Sequence, residues 1–287
     1  MAASTSLASR LLILSSGAGS MTSEVEAKLR DAFADHLIIE FDPRKGFQKL
    51  IGPQARVLVA GGDGTIGFVV RTLADTRHPV GILPLGTFNN FAHSLGVPED
   101  LDGAIRTVKE GRPRAITLGR VNGKVFLEVC AIGLFGEIIA LGEAAKDHAF
   151  GDLAARVRQG IEAKPFRYEL RGDFEGSGTA KSLVFTNTRS TGAGMSVGDS
   201  TPIDPYLEFS VHAGGSRFDI LRRVFTSALH GKDRESRPGQ MFKFRRLEVR
   251  TRPGVRVYAD DAQIGRTPVT ITAEVSAVKV ILPASSP

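Results

Sequence analysis

The chain has 287 residues, 42% hydrophobic and 24% charged, with 32 Gly and 14 Pro. Such a length allows about two domains of roughly 150 residues, and the composition excludes a disordered, collagen-like or disulfide-stapled chain. Its one cysteine, Cys130, cannot close an internal disulfide, and a formal charge of +6 favours anionic partners without naming one.

Taken in chain order, Arg10 to Leu14 reads as a short buried strand running into a Ser/Gly turn at residues 15–20, and Thr22 to Ala34 has helical spacing behind a Thr cap with acid in its first turn. Leu37 to Phe41 is a second strand, Arg56 to Ala60 a third, and a helix over about Ile66 to Leu73 precedes a strand over Val80 to Leu83. Strand and helix alternate, which predicts a parallel, doubly wound α/β sheet for roughly residues 8–118. From Gly119 onward, short β-rich runs over Val125 to Val129, Arg167 to Leu170, Ser182 to Thr186, Leu207 to Val211, Arg246 to Arg250, Val255 to Tyr258 and Val278 to Leu282 predict a mostly antiparallel β domain. Two helical interruptions are expected, over about Phe135 to Ala163 and Phe218 to Leu229. The apolar run Leu11 to Leu14 is too short for a signal-peptide core, and no window approaches the roughly 18 apolar residues of a membrane span. A cytoplasmic protein with at most peripheral membrane contact is therefore expected.

The third strand ends in Gly61-Gly62-Asp63-Gly64-Thr65 and opens a helix, which sets backbone N–H groups beside the positive end of a helix dipole. Phosphate suits such a place. Glycine removes the Cβ that would block close approach, Thr65 can donate a hydroxyl bond, and Asp63 can reach a magnesium ion. The spacing Gly62-x-Gly64-x-x-Gly67 also satisfies a dinucleotide fingerprint, but the following strand, Val80 to Leu85, carries no acid for a ribose, and neither a P-loop nor a hydrolase elbow occurs. A second polar turn, over Gly86, Thr87, Phe88 and Asn89, follows the next strand and lies at the same carboxyl edge, as does the Ser15-Ser16-Gly17 turn. Three polar turns thus converge on one rim.

The pairing of a strand-GGDGT element with PLGTFNNFAHSLGVP resembles the catalytic domain of the diacylglycerol kinase family, which includes bacterial soluble lipid kinases and the sphingosine and ceramide kinases. Further along, Val125 to Val129 with Ile132-Gly133-Leu134 looks like the start of that family's second domain, and Asp204-Pro205-Tyr206-Leu207 stands where the family writes D-G-L-L. Asp260-Asp261-Ala262 falls where it writes D-G-E. The resemblance implies an α/β nucleotide-binding domain over residues 1–118 and a β-rich lipid-kinase domain over 119–287, whose last strand could return to the first. It further implies ATP and Mg²⁺ as cofactors, with the nucleotide in the interdomain cleft. By the same carry-over, Gly61, Gly62, Asp63, Gly64 and Thr65 would cradle phosphates, Gly86, Thr87 and Asn89 would bind nucleotide, and Ser16 and Gly17 would assist. Asp260 would be the base acting on the lipid hydroxyl, with Asp261 a second carboxylate, and metal would rest on Asp63, with Asp204 a weaker site. The chain departs from the family at Ala262, which cannot accept a proton, and at Asn90, which replaces a common aspartate.

Between Arg217 and Arg256 twelve basic residues face four acidic ones, a local excess of +8, which predicts attraction to an anionic bilayer that presents the lipid substrate. A solvated basic face is the bland alternative. Nucleic acid ranks last as a partner because the chain has no Trp and few Tyr. Oligomeric state is not written in the residues, a homodimer included. The reading is an ATP- and Mg-dependent lipid kinase acting on a diacylglycerol-like hydroxyl; the rivals are an NAD kinase and a catalytically inactive nucleotide- or lipid-binding homologue.

Overall fold

The structure is a computed structural model that describes residues 7–144, 164–191, 195–213 and 241–284. Two compact units emerge, Met1–Ile116 with Ser276–Pro287, and Thr117–Val275.

In the first unit the order is β1 (Ala8–Leu14), α1 (Ser23–Ala32), β2 (Leu37–Glu40), β3 (Ile51–Gly61), α2 (Asp63–Leu73), β4 (Pro79–Pro84), α3 (Asn90–Ser94), α4 (Leu101–Glu110) and β5 (Arg112–Val121), the last running on into the second unit. The sheet order is β2-β1-β3-β4 and every pairing is parallel, with Leu14 opposite Glu40 and Ala60, and Gly61 opposite Pro84. α1 starts where the sequence places it, since Thr22 Oγ1 accepts the Val25 N–H at 3.2 Å. α4 went unread in the sequence although Asp100 caps it at Gly103 N and Leu101, Ala104, Ile105 and Val108 fall at helical spacing. Those residues join Leu12, Leu14, Leu58 and Leu83 in one core. Each fully buried aliphatic side chain of this kind contributes about 1.5–3 kcal/mol.

The second unit continues with β6 (Lys124–Phe126), β7 (Val129–Gly133), α5 (Leu134–Ala144), β8 (Phe166–Gly172), β9 (Gly176–Ala180), β10 (Ser182–Thr186), β11 (Ser190–Thr191), β12 (Met195–Ser196), β13 (Leu207–His212), β14 (Phe242–Phe244), β15 (Arg246–Arg252), β16 (Arg256–Ala259), β17 (Ala262–Arg266) and β18 (Val269–Leu282). One antiparallel sheet runs β14-β13-β10-β7-β16-β17. β15 pairs antiparallel with β8 and with the start of β18; the far end of β18, from Ser276 on, belongs to the first unit, where Lys279 and Val280 pair parallel with Pro79 and Val80. Phe185 and Phe209 from one sheet pack in a single core with Leu170, Leu247, Val249 and Ile271 from the other strands. The α/β class with a parallel sheet and an antiparallel one is thus as the alternation predicts.

Two expectations change. Val125 to Val129 is not one strand, because β6 ends at Phe126 and β7 begins at Val129, with a bend at Leu127 and Glu128 between them. The amides of that bend are taken by a side chain from far along the chain, described below, so they cannot serve a ladder. The last strand is also longer than foreseen, beginning at Val269 rather than Val278. Most of the helix expected over 135–163 and all of that over 218–229 lie outside the described residues.

Candidate functional site

In the first unit the parallel order sets the carboxyl ends of β1, β3 and β4 side by side, and direct bonds tie their turns together. Ser15 N–H donates to Ala60 O, Leu85 N–H to Gly61 O and Ser20 N–H to Leu85 O, each at 2.9 Å. Gly62 and Gly86 approach backbone to backbone. A Cβ on Gly86 would lie 2.7 Å from Gly62 Cα and 2.7 Å from Asn89 Oδ1, and one on Gly62 would lie 3.2 Å from Gly86 Cα. No side chain fits there. Asn89, in the left-handed region at φ 48°, holds the second turn closed: its Oδ1 accepts the Gly86 N–H at 2.8 Å and its Nδ2 donates to Gly86 O at 2.9 Å. Both polar ends of Asn89 are therefore engaged in shaping the turn.

The first intrahelical bond of α2 runs from Ile66 N–H to Gly62 O, so the amides of Gly64 and Thr65 precede the helical ladder at its positive end. A Cβ on Gly64 or on Gly17 would meet nothing within 4 Å, so both turns open onto space. Thr65 is buried, whereas Ser16, Gly17 and Thr87 are exposed, and a Cβ on Gly19 would lie 3.2 Å from Thr87 Oγ1. This is a cradle of backbone donors suited to an anion of phosphate size. Glu40, unremarked in the sequence, closes it on the β2 side: Ser16 N–H donates to Glu40 Oε1 at 2.8 Å. The available signal was an acid at the last position of the neighbouring strand.

Among the described residues no group of three or more His, Cys, Asp or Glu could hold a metal ion. Asp63 opens α2 and offers one carboxylate beside the cradle, which fits the way magnesium is commonly bound, through one or two carboxylates plus nucleotide phosphates. Asp204 fits less well. Its Oδ2 already accepts from Thr201 N at 2.8 Å and Thr201 Oγ1 at 3.1 Å. The Lys243 ammonium, 4.3 Å above the Tyr206 ring, also interacts with it; the Tyr206 hydrogen bond, then the charges of Glu208 and Asp204, hold that lysine above its ordinary range. A lone, turn-bound carboxylate beside a cation is a poor seat for a dehydrated divalent ion, and no metal is derived there.

In the second unit β16 and β17 form a hairpin whose two-residue turn is Asp260-Asp261. Asp260 is left-handed at φ 50°, a conformation that Asp tolerates. That geometry sends its carboxylate back to the β6–β7 bend, where Oδ2 accepts Leu127 N–H at 3.0 Å and Oδ1 accepts Glu128 N–H at 2.9 Å and Val129 N–H at 3.2 Å. Asp260 N–H returns a bond to Val129 O at 2.7 Å. Asp261 and Ala262 are exposed on the hairpin. Asn187, fully buried, holds the same bend from another side: its N–H donates to Glu128 O at 2.8 Å, and its Nδ2 to Leu127 O and Thr117 O at 3.0 Å each. The Glu128 side chain is itself buried, with Oε2 accepting Thr191 Oγ1–H at 2.7 Å. Sequence reading passed over both Glu128 and Asn187. Cys130, one residue past the bend, is fully buried, and desolvation with the nearby charge of Asp260 pushes its thiol well above the usual range.

Residues 15–121 match the family model of the diacylglycerol kinase catalytic domain. The match takes in 107 of the 287 residues. It is 32% identical over 190 residues to a probable lipid kinase YegS of Salmonella arizonae, a match covering 63% of this chain and 62% of that protein. It is 29% identical over 236 residues to a diacylglycerol kinase of Bacillus subtilis, covering 79% and 77%. An uncharacterized Synechocystis protein is 24% identical, with the match spanning 54% of its length, so the chain spans between half and two thirds of some relatives it matches. A diacylglycerol kinase structure from Bacillus anthracis superimposes with a TM-score of 0.72 at 22% identity, covering 95% of this chain and 96% of that one. The matched stretch contains the GGDGT cradle and the Gly86 turn whole, and ends at the strand that leads into the second unit.

Proposed function

We propose that the protein is an ATP-dependent lipid kinase that phosphorylates a hydroxyl of a diacylglycerol-like lipid. The observation that carries this reading is the glycine-lined cradle at the ends of β1, β3 and β4, found inside the stretch that matches the diacylglycerol kinase catalytic domain. In it, Gly61 to Thr65 bind the triphosphate through the amides that open α2, and the turns at Ser16-Gly17 and Gly86 to Asn89 shape the rim around the nucleotide. Asp63 would hold magnesium together with the nucleotide phosphates, and the ion would supply charge neutralisation there. The lipid oxygen bonds to the γ-phosphorus, the bond from that phosphorus to the bridging oxygen breaks, ADP leaves, and the hydroxyl proton passes to a carboxylate. By the family resemblance Asp260 is the first candidate for that carboxylate and Asp261 the second; Asp260 also organises the bend at 127–129. Peripheral attraction to an anionic bilayer is part of the same proposal, and six of the twelve basic residues counted in the sequence lie in the described stretch from Lys243 to Arg256.

The test is transfer of labelled γ-phosphate from ATP to vesicles that carry diacylglycerol in an anionic phospholipid. Label in the lipid phase is expected. Folded protein that transfers none to diacylglycerol, phosphatidylglycerol or sphingoid bases overturns the reading. Ala262, where the family writes glutamate, favours one rival, an inactive nucleotide-binding homologue; nucleotide binding by calorimetry without turnover on any lipid would select it.

A further inference from the structure

We infer that the corner joining β15 to β16 is the surface by which the second unit binds the headgroup phosphates of an anionic bilayer, through Arg167, Arg252, Arg256 and Arg266. This rests on the lipid-kinase reading, which puts the acceptor lipid in a membrane, and it narrows a general attraction of the basic stretch to four side chains.

On β15, Leu247 and Val249 lie in the core, so Arg246, Glu248, Arg250 and Arg252 face outward; on β8, Phe166 and Leu170 lie in the core, so Arg167, Glu169 and Arg171 face outward. The acids of this face are already engaged, Glu169 with Arg171 and Glu248 with Arg250, at 2.6 Å each. At its end Arg252 and Arg167 stand directly opposite each other across the ladder. The arrangement repeats on the next hairpin, where Arg256 stands opposite Arg266 across β16 and β17. Like charges placed this way oppose folding. Among the described residues Glu137, 3.8 Å from Arg256, is the one acid in an ion pair with any of the four. All four arginines are exposed, and Asp260-Asp261 occupy the other end of the β16–β17 hairpin, where they do not neutralise this one.

The corner between the two pairs is tied down. Thr251 Oγ1–H donates to Pro253 O at 2.8 Å, an Arg266 guanidinium N–H to Gly254 O at 2.7 Å and Val255 N–H to Thr267 Oγ1 at 2.9 Å, while Thr267 N–H returns a bond to Val255 O at 2.9 Å. The backbone that carries Arg252 and Arg256 is therefore ordered before any anion arrives, which lowers the entropy lost on binding. Guanidinium forks meet phosphate oxygens with two parallel bonds, and Arg266 keeps further N–H groups for this after its bond to Gly254 O. The two pairs belong to different sheets, so the charge is spread along an edge, as a row of headgroups requires, rather than gathered round one ion. Pro253 and Gly254 form the tip between them and offer no aromatic ring on which a base could stack, which favours a bilayer over nucleic acid.

The experiment is sedimentation of the full chain, without nucleotide and at low salt, with phosphatidylcholine vesicles that carry phosphatidylglycerol. A basic residue close to an anionic surface contributes about fivefold to binding, so Arg167→Gln combined with Arg252→Gln should weaken it by about 25-fold. Arg106→Gln combined with Arg112→Gln removes the same net charge at exposed positions of the first unit and should change binding by less than about threefold. Wild type that does not sediment with the vesicles, or equal losses in the two double variants, overturns the assignment. So does displacement of wild type by millimolar inorganic phosphate at constant ionic strength, which would make the corner a site for a single ion. Tighter binding to a single-stranded oligonucleotide, lost in the same double variant, overturns it in favour of nucleic acid. Each corner substitution relieves a like-charge pair, so the unfolding temperature should not fall. Should the double variant fail to fold, Arg252→Gln alone decides, with about a fivefold loss expected and unchanged binding overturning the proposal. Wild type that phosphorylates lipid beside a double variant that binds vesicles as before brings down this inference alone, whereas wild type inert on every lipid brings down the kinase reading whatever the vesicles show.

Discussion

The rim of the first unit and the bend of the second handle charge by opposite means. At the rim the work is done by backbone and by the absence of side chains: two glycines touch, a left-handed Asn89 folds its amide onto the turn, and a helix begins without a side-chain cap. At the bend the work is done by side chains on backbone, with Asp260 and Asn187 gripping a segment that lies 131–133 and 60 residues away in sequence. A cradle for a ligand that brings its own charge needs empty space and N–H groups. A bend that leaves the ladder needs polar side chains to satisfy its backbone groups.

That contrast can be broken at either end. The largest effect is expected from Gly86→Ala, whose Cβ would meet Gly62 Cα and Asn89 Oδ1 at 2.7 Å. Because one of the two obstacles is backbone, the turn must open. A loss of about 2–3 kcal/mol in stability is expected, with nucleotide affinity down by more than tenfold, read by thermal unfolding and by calorimetry with a non-hydrolysable ATP analogue. Wild-type affinity in that variant would mean that the glycine contact does not build the rim.

Asp260→Asn should cost slightly less, about 2 kcal/mol in urea unfolding, since one amide group must then face a backbone N–H that Asp260 now satisfies. Turnover should drop while nucleotide affinity stays near wild type, because the damage lies at the bend. Reduced affinity with intact turnover would reverse the division of labour.

The smallest effect concerns His36, which touches neither the turns nor the bend and so separates stability from binding. Burial first, then the charges of Arg10, Arg56 and Lys109, lower its pKa to about 4, against 6.5 in the unfolded chain. Exposed Asp35, 2.7 Å from Nδ1, pulls the other way without winning. With the folded value depressed, the unfolded chain binds the extra proton. Stability is full above about pH 6.5 and is lost as pH falls from there towards 4, by about 1–2 kcal/mol once solvent screening is allowed for. His36→Gln should flatten that part of the profile, and a profile unchanged by the substitution would exclude His36 as its source.

How much of this was visible beforehand differs by region for physical reasons. Strand-and-helix alternation, the Thr22 cap and the GGDGT and Gly86 turns are local patterns: periodicity, capping chemistry and glycine spacing lie within a few residues of one another. Glu40 was not legible, because its partner Ser16 lies 24 residues back and becomes a neighbour only when β1 and β2 pair. Nor was the break between β6 and β7, since Val125 to Val129 has every local property of a strand and is interrupted by a carboxylate contributed by a distant hairpin.

Taken alone, the amino-acid order determined the α/β class and the turns that would line a phosphate cradle, because apolar period and steric freedom are properties of contiguous residues. Only the tertiary structure decided what each acid does. A carboxylate's role depends on which donors surround it, and for Asp260 and Glu128 those donors come from segments that folding alone brings within hydrogen-bond reach.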